Sequence, residues 1–213
     1  MSKSFAKLVS YLFHPLLFPT YGVVFLVLVN PHLFAAYQLK GQLLWGIITF
    51  VLTFIFPVVW LVLMKKLELI DSLELDDKKQ RIIPYIATAT FYLWTFKMFK
   101  PTSIPNAFSN QLISLMMLGA AVSVFIGFFI NIFRKISLHT IGIGSFIGLT
   151  LPMLRIADYD LKFFFIALLL LAGVIGTARL VLEAHTQREV LSGYAAGFIG
   201  QFFAFTVLPY FLS

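Results

Sequence analysis

Arg179-Leu180-Val181-Leu182-Glu183-Ala184-His185-Thr186-Gln187-Arg188-Glu189 sets five ionisable side chains into eleven positions. Apolar runs at 161–181 and 190–212 flank it. The chain as a whole is only 12% charged, so this density needs a reason. A charge at the centre of a membrane helix costs roughly 2.5–3.5 kcal/mol, and such groups persist where they pair, meet water or do chemistry. The stretch reads as a polar island between two membrane-length helices, and as a candidate anion-handling centre.

Composition supports that frame. The 213 residues are 60% hydrophobic, with a mean hydropathy of +0.94. Soluble domains are about 45–50% apolar, and one globular core of this size has no room for the excess. Bilayer is the natural solvent for it. There is no Cys, which excludes disulfides and thiolate chemistry. The net charge is +7, but the basic residues sit in short loops between apolar runs. That pattern fits membrane topology and anionic headgroups, and no nucleic-acid partner is expected. The first 30 residues combine a basic start, Lys3 and Lys7, with an apolar run lacking a small-residue cleavage site. They are expected to form a retained first helix.

The apolar runs predict helices at 9–30, 42–64, 82–99, 110–133, 138–156, 161–181 and 190–212. Most are long enough to cross about 30 Å of hydrocarbon at about 1.5 Å per residue. The expected fold class is all-α, a polytopic transmembrane helical bundle of six or seven spanning helices. It forms one integral-membrane domain over residues 1–213. His14-Pro15 and Pro19 interrupt the first run and predict a kink there. If all seven runs cross, the N-terminus, 65–81, 134–139 and 179–189 share one side. That side carries eleven of the sixteen Lys and Arg, and the other side carries Lys40, Lys97, Lys100, Arg155 and Lys162. The excess of basic residues favours the cytoplasm for the first side.

Three polar clusters fall on that side. The first is Asp76-Asp77-Lys78-Lys79-Gln80-Arg81-Ile82-Ile83-Pro84, at the entry to the third helix. Lys78 and Arg81 are three apart and share a face if the turn is helical. Such a pair clamps a phosphate, Arg with a bidentate fork, or anchors the chain to lipid headgroups. The second is Ser137-Leu138-His139-Thr140, after Arg134-Lys135. Ser137 is an N-cap candidate, and a helix N-terminus presents unpaired N–H groups to an anion. His139 then lies in the first turn, as an acid beside that anion or as an interfacial residue. Gly144-x-x-x-Gly148 and Gly193-x-x-x-Gly197 read as close helix packing.

The third cluster is the opening stretch. His185 and Glu189 are four apart and neighbours on a helix. A carboxylate there holds the ring in one tautomer and leaves the other nitrogen as a nucleophile or base. It reads equally as a Glu–His pair at an amphipathic helix end. Arg179 and His185 point about 120° apart on an unbroken helix. If they act together, the chain breaks near Glu183-Ala184. The four His, at 14, 32, 139 and 185, show no metal-ligand spacing. His14 and His32 read as interfacial residues beside prolines.

In this order the three clusters resemble the type 2 phosphatidic acid phosphatase superfamily, the membrane lipid phosphatases related to vanadium haloperoxidases. That family carries Lys-x6-Arg-Pro, Pro-Ser-Gly-His and Ser-Arg-x5-His-x3-Asp. Arg179-x5-His185-x3-Glu189 keeps the third spacing, with Ala178 for Ser and Glu for Asp. Ser137-Leu138-His139 keeps the Ser and His of the second motif, without its Pro and Gly. Around the first motif, Arg81 is followed by Pro84, and Lys78 or Lys79 stands closer than the family's Lys.

The resemblance implies a metal-independent phosphohistidine mechanism with no cofactor. His185 attacks phosphorus, Glu189 orients it, and His139 protonates the leaving oxygen. Arg179, Arg81, Ser137 and Lys78 or Lys79 hold the phosphoryl oxygens. The implied partners are a lipid phosphate, such as phosphatidic acid or a polyprenyl pyrophosphate, and membrane lipids. The implied location is a bacterial cytoplasmic (inner) membrane. The competing expectation is a non-enzymatic lipid-binding or transport protein with a degenerate phosphate site, which the departures from the motifs favour.

Overall fold

The structure is a computed structural model and describes residues 1–35, 38–72, 79–100 and 107–207. Every regular element among the described residues is helical. They are α1 (Lys3–Leu12), α2 (Phe18–Val29), α3 (Pro31–Phe34), α4 (Gln38–Phe50), α5 (Phe56–Lys66), α6 (Ile82–Phe99), α7 (Ala107–Phe133), α8 (Leu138–Ile156), α9 (Lys162–Val181) and α10 (Gln187–Thr206).

All seven expected runs are helical among the described residues, residues 208–212 of the last lying outside them, and two are broken. The first starts at Lys3 rather than near residue 9, because Ser2 caps it by accepting the Phe5 N–H at 3.3 Å. It stops at Phe13, since a residue before proline disfavours the helical region. Pro15–Leu17 then form one 3₁₀ turn before α2. The second run passes from α4 to α5 through a widened π turn at Val51–Ile55. Pro57 lies just past that turn and has no N–H to give the carbonyl four residues back, a recognised cause of such a bulge.

Four stretches are long and apolar enough to cross a membrane: Lys3–Val29, Gln38–Lys66, Gln111–Phe133 and Lys162–Val181. Helices α6, α8 and α10, of 18, 19 and 20 residues, are diluted by Gly, Ser, Thr and a few charges. The outer surface is apolar, with Phe133, Phe163, Leu170 and Leu28 among its exposed side chains. In water that surface is unfavourable, and in lipid it costs nothing.

The packing sets the direction of each helix. A Cβ on Gly144 would lie 2.5 Å from the Tyr194 carbonyl oxygen, and one on Gly148 would lie 2.7 Å from that of Phe198. From the other side, Gly193 abuts the backbone of Ser137, and Gly197 that of Ile141 and Ser145. Residue numbers rise together along the contact, so α8 and α10 are parallel neighbours. Helix α9, with 20 residues or about 30 Å of rise, makes the return.

Helix α2 also runs parallel to α8. Phe18 packs beside Gly142 at one end, and the Asp158 N–H donates to the Val29 carbonyl at 2.9 Å at the other. Arg81, at the start of α6, donates from Nη1 to the Ile136 carbonyl just before α8, at 3.2 Å. The entries to α2, α6, α8 and α10 therefore gather at one end of the bundle.

The glycine contact between α8 and α10 predicts a specific sensitivity. Gly144→Val forces a backbone shift and lowers stability by roughly 1–3 kcal/mol. A thermal midpoint in detergent equal to that of the parent would contradict this.

Candidate functional site

The gathered entries enclose a cavity of about 660 Å³. At its polar end stand Arg81, Lys135, His139, Arg179 and His185, joined by Lys7, Ser10 and His14 from the first helical run. Deeper in the bundle its walls are apolar, from Phe18, Tyr92, Met116, Phe146 and Leu149.

His185 sits in the turn between α9 and α10. Helix α9 ends at Val181, and Glu183 adopts a left-handed φ of 55°. The break falls where the Arg179–His185 spacing requires it. Thr186 then caps α10 in a reciprocal box: its Oγ1 accepts the Glu189 N–H at 3.4 Å, and Glu189 Oε2 accepts the Thr186 N–H at 3.3 Å. The same Oε2 accepts from His185 Nδ1 at 2.8 Å. His185 is thus outside the helix, and the pair forms through the cap rather than across a helical turn. Its side chain is only 4% exposed.

With the proton on Nδ1, Nε2 carries the free lone pair. Burial first, then the Arg179, Arg81 and Lys135 charges, push the His185 pKa down to about 4, against the raising effect of the Glu189 hydrogen bond. The ring is neutral at ordinary pH, as a nitrogen nucleophile must be.

Arg179, in the last turn of α9, donates from Nη1 to Ser10 Oγ at 3.0 Å. His139, in the first turn of α8, donates from Nε2 to the Ser10 carbonyl at 3.1 Å. Ser10 of α1 therefore holds two groups expected to meet a phosphate. The His14 ring stands edge-on to His139, with centroids 6.0 Å apart. Arg81 is 6% exposed, a buried cation rather than a surface anchor.

Two expected site residues stand elsewhere, and a third lies outside the described residues. Ser137 occupies the N-cap position of α8, but its hydroxyl makes no cap bond and lies buried without a hydrogen-bond partner among the described residues, outside the cavity lining. Gly193 presses on its backbone there. Lys79 is exposed and does not line the cavity, because the turn at 79–81 sends Arg81 inward and Lys79 outward. Lys78 lies outside the described residues.

The sequence reading missed Ser10, Lys7, Lys135 and His14. His14 lines the cavity, while His32 pairs with Asp158 outside the cavity lining. The available signal was the polar stripe 7, 10, 11, 14 inside an apolar run, which is helical spacing. Among the described residues no three His, Cys, Asp or Glu gather as metal ligands.

The depressed His185 pKa has a measurable sign. Between about pH 4 and 6.5 the unfolded chain binds a proton at His185 that the folded chain does not. Stability from this residue is therefore full above pH 6.5 and is lost as the pH falls towards 4. Unfolding midpoints over that range should lose about one proton's worth of pH dependence in His185→Gln, and an unchanged dependence would refute the assignment.

Compared with known proteins, the chain matches no family model, no curated protein and no solved structure.

Proposed function

We propose that the protein is an integral-membrane phosphatase or phosphotransferase that removes a phosphate from a lipid phosphate through a phosphohistidine on His185. One observation carries the reading. A neutral imidazole, fixed at Nδ1 by Glu189, stands among Arg81, Arg179 and Lys135 in a cavity with apolar inner walls.

The chemistry follows from these groups. His185 Nε2 forms a bond to phosphorus as the bond to the lipid oxygen breaks. Arg81 and Arg179 stabilise the charge spread over the transferring oxygens. His139, protonated at both nitrogens beside the bound dianion, gives the leaving oxygen its proton. Water then attacks the phosphohistidine, His139 takes the water's proton, and inorganic phosphate leaves. Glu189 offsets the charge that His185 acquires in the first step. The first motif contributes Arg81.

We read seven crossings, with α1–α2 and α4–α5 each as one bent crossing. The excess of Lys and Arg on the side of the site then favours a cytoplasmic face in a bacterial inner membrane. A second reading has its own support. Ser10 occupies the donors of both Arg179 and His139, as in a lipid-binding or transport protein whose phosphate site is closed.

Purified protein assayed against a panel of lipid phosphates separates the two. His185→Ala is expected to reduce phosphate release by a factor on the order of 10³ or more, with EDTA having little effect. Glu189→Gln is expected to cost on the order of 10²- to 10⁴-fold. A 32P label should be trapped on His185 in acid-labile, base-stable form. Undiminished turnover in His185→Ala rules the mechanism out, and no turnover with any lipid favours the second reading.

A further inference from the structure

We propose that Ser10 takes the place expected for Ser137: its hydroxyl binds the phosphoryl group beside Arg179, and its carbonyl holds His139 so that Nδ1 passes the proton. The inference rests on the phosphatase reading above and adds a residue to its site.

The carbonyl comes from the way α1 ends. The helix stops at Leu12, ahead of His14-Pro15, so the Ser10 carbonyl has no helical N–H four residues on. His139 Nε2 meets it at 3.1 Å. A carbonyl only accepts, so Nε2 carries a proton whether the ring is neutral or charged. Only Nδ1 is left to exchange a proton with a ligand. It makes no hydrogen bond among the described residues, and His139 lines the cavity.

The hydroxyl is unusual for this chain. Eight Ser and Thr hydroxyls of the described helices, Ser123, Thr150 and Ser192 among them, donate to the carbonyl four residues back. That bond is the ordinary way for a helical hydroxyl to satisfy its proton. Ser10 Oγ instead accepts from Arg179 Nη1 at 3.0 Å, and its own O–H donates to no group among the described residues. Ser10 lines the cavity. A hydroxyl that has accepted a bond still has its proton to give, and a phosphoryl oxygen held by Arg179 is an acceptor for it.

Packing keeps Ser10 in that place. Ala6 and Val9 of α1 are buried in one cluster with Ile175 and Ala178 of α9, and Arg179 follows Ala178. Ser10 takes one donor of an arginine that has several, and the nitrogen of His139 that does not work. The two contacts therefore leave the site open to a phosphate. In the first step Nδ1 gives its proton to the lipid oxygen as the bond to phosphorus breaks. In the second it takes a proton from the attacking water. The Nε2 proton stays on the Ser10 carbonyl throughout.

The test uses the full chain in detergent. In 15N spectra of histidine-labelled protein, the resonance missing from His139→Asn should show a proton on Nε2 and a lone pair on Nδ1 in the neutral ring. Phosphate release is then measured from phosphatidic acid and from polyprenyl diphosphate. Ser10→Ala should lower kcat/KM on the order of 10²-fold, mostly in kcat, as for loss of one donor to the transferring oxygens. Ser10→Thr should recover most of that loss, and Ser137→Ala should cost far less than Ser10→Ala. As a binding readout, Ser10→Ala should need about tenfold more inorganic phosphate than the parent for the same rise in thermal midpoint, the loss of a hydrogen bond to a charged group. The Nδ1–H tautomer at His139 overturns the proposal. So do parent-like turnover and protection in Ser10→Ala, a loss that Ser10→Thr leaves in place, or a greater loss in Ser137→Ala, and each leaves the phosphatase reading intact. Absence of turnover with both lipids, and of protection of the parent by phosphate, overturns that reading and this inference together.

Discussion

The close parallel contact of α8 with α10 is the constraint on which the site depends. Gly144, Gly148, Gly193 and Gly197 let the two backbones meet without side chains between them. In lipid, apolar side chains gain nothing by leaving the solvent, so close packing of small residues is what holds helices together. Because the pair is parallel, both helix entries lie at the same end. Gly193 is level with Ser137, so α10 starts six residues, or about 9 Å, beyond the start of α8. That stagger brings His139 and the turn carrying His185 to one cavity, beside two positively polarised helix N-termini.

Once that end is assembled, its electrostatics follow from burial. Four cations line a cavity with no lining carboxylate among the described residues. Such a lining favours an anionic occupant over a cationic one. The carboxylate of Glu189 serves two donors: it closes the α10 cap with Thr186 and fixes the tautomer of His185. A helix start and the orientation of the His185 ring are thereby set by one side chain.

Helix α1 joins the site by a different route. His14-Pro15 breaks the first apolar run, so the stretch before it is free to dock on α9 at its own angle while α2 packs along α8. The break places Ser10 against both Arg179 and His139. A straight first helix would follow α2 and leave that end of the cavity without its basic and hydroxyl face.

The sequence by itself determined the helical class, the pairing of His185 with Glu189 and the start of α8 just before His139, and it made a break near Glu183 the condition for Arg179 and His185 to act together. All of these rest on interactions within a few residues: apolar periodicity, a cap, a four-residue spacing. Only the tertiary structure decided that Arg81, His139, Arg179 and His185 share one cavity, that Lys79 and the Ser137 hydroxyl stay out of it, and that Ser10, His14, Lys7 and Lys135 enter. Those outcomes depend on which helices run parallel and how closely they approach. Contacts between backbones distant in the chain set both, and no local pattern of residues encodes them.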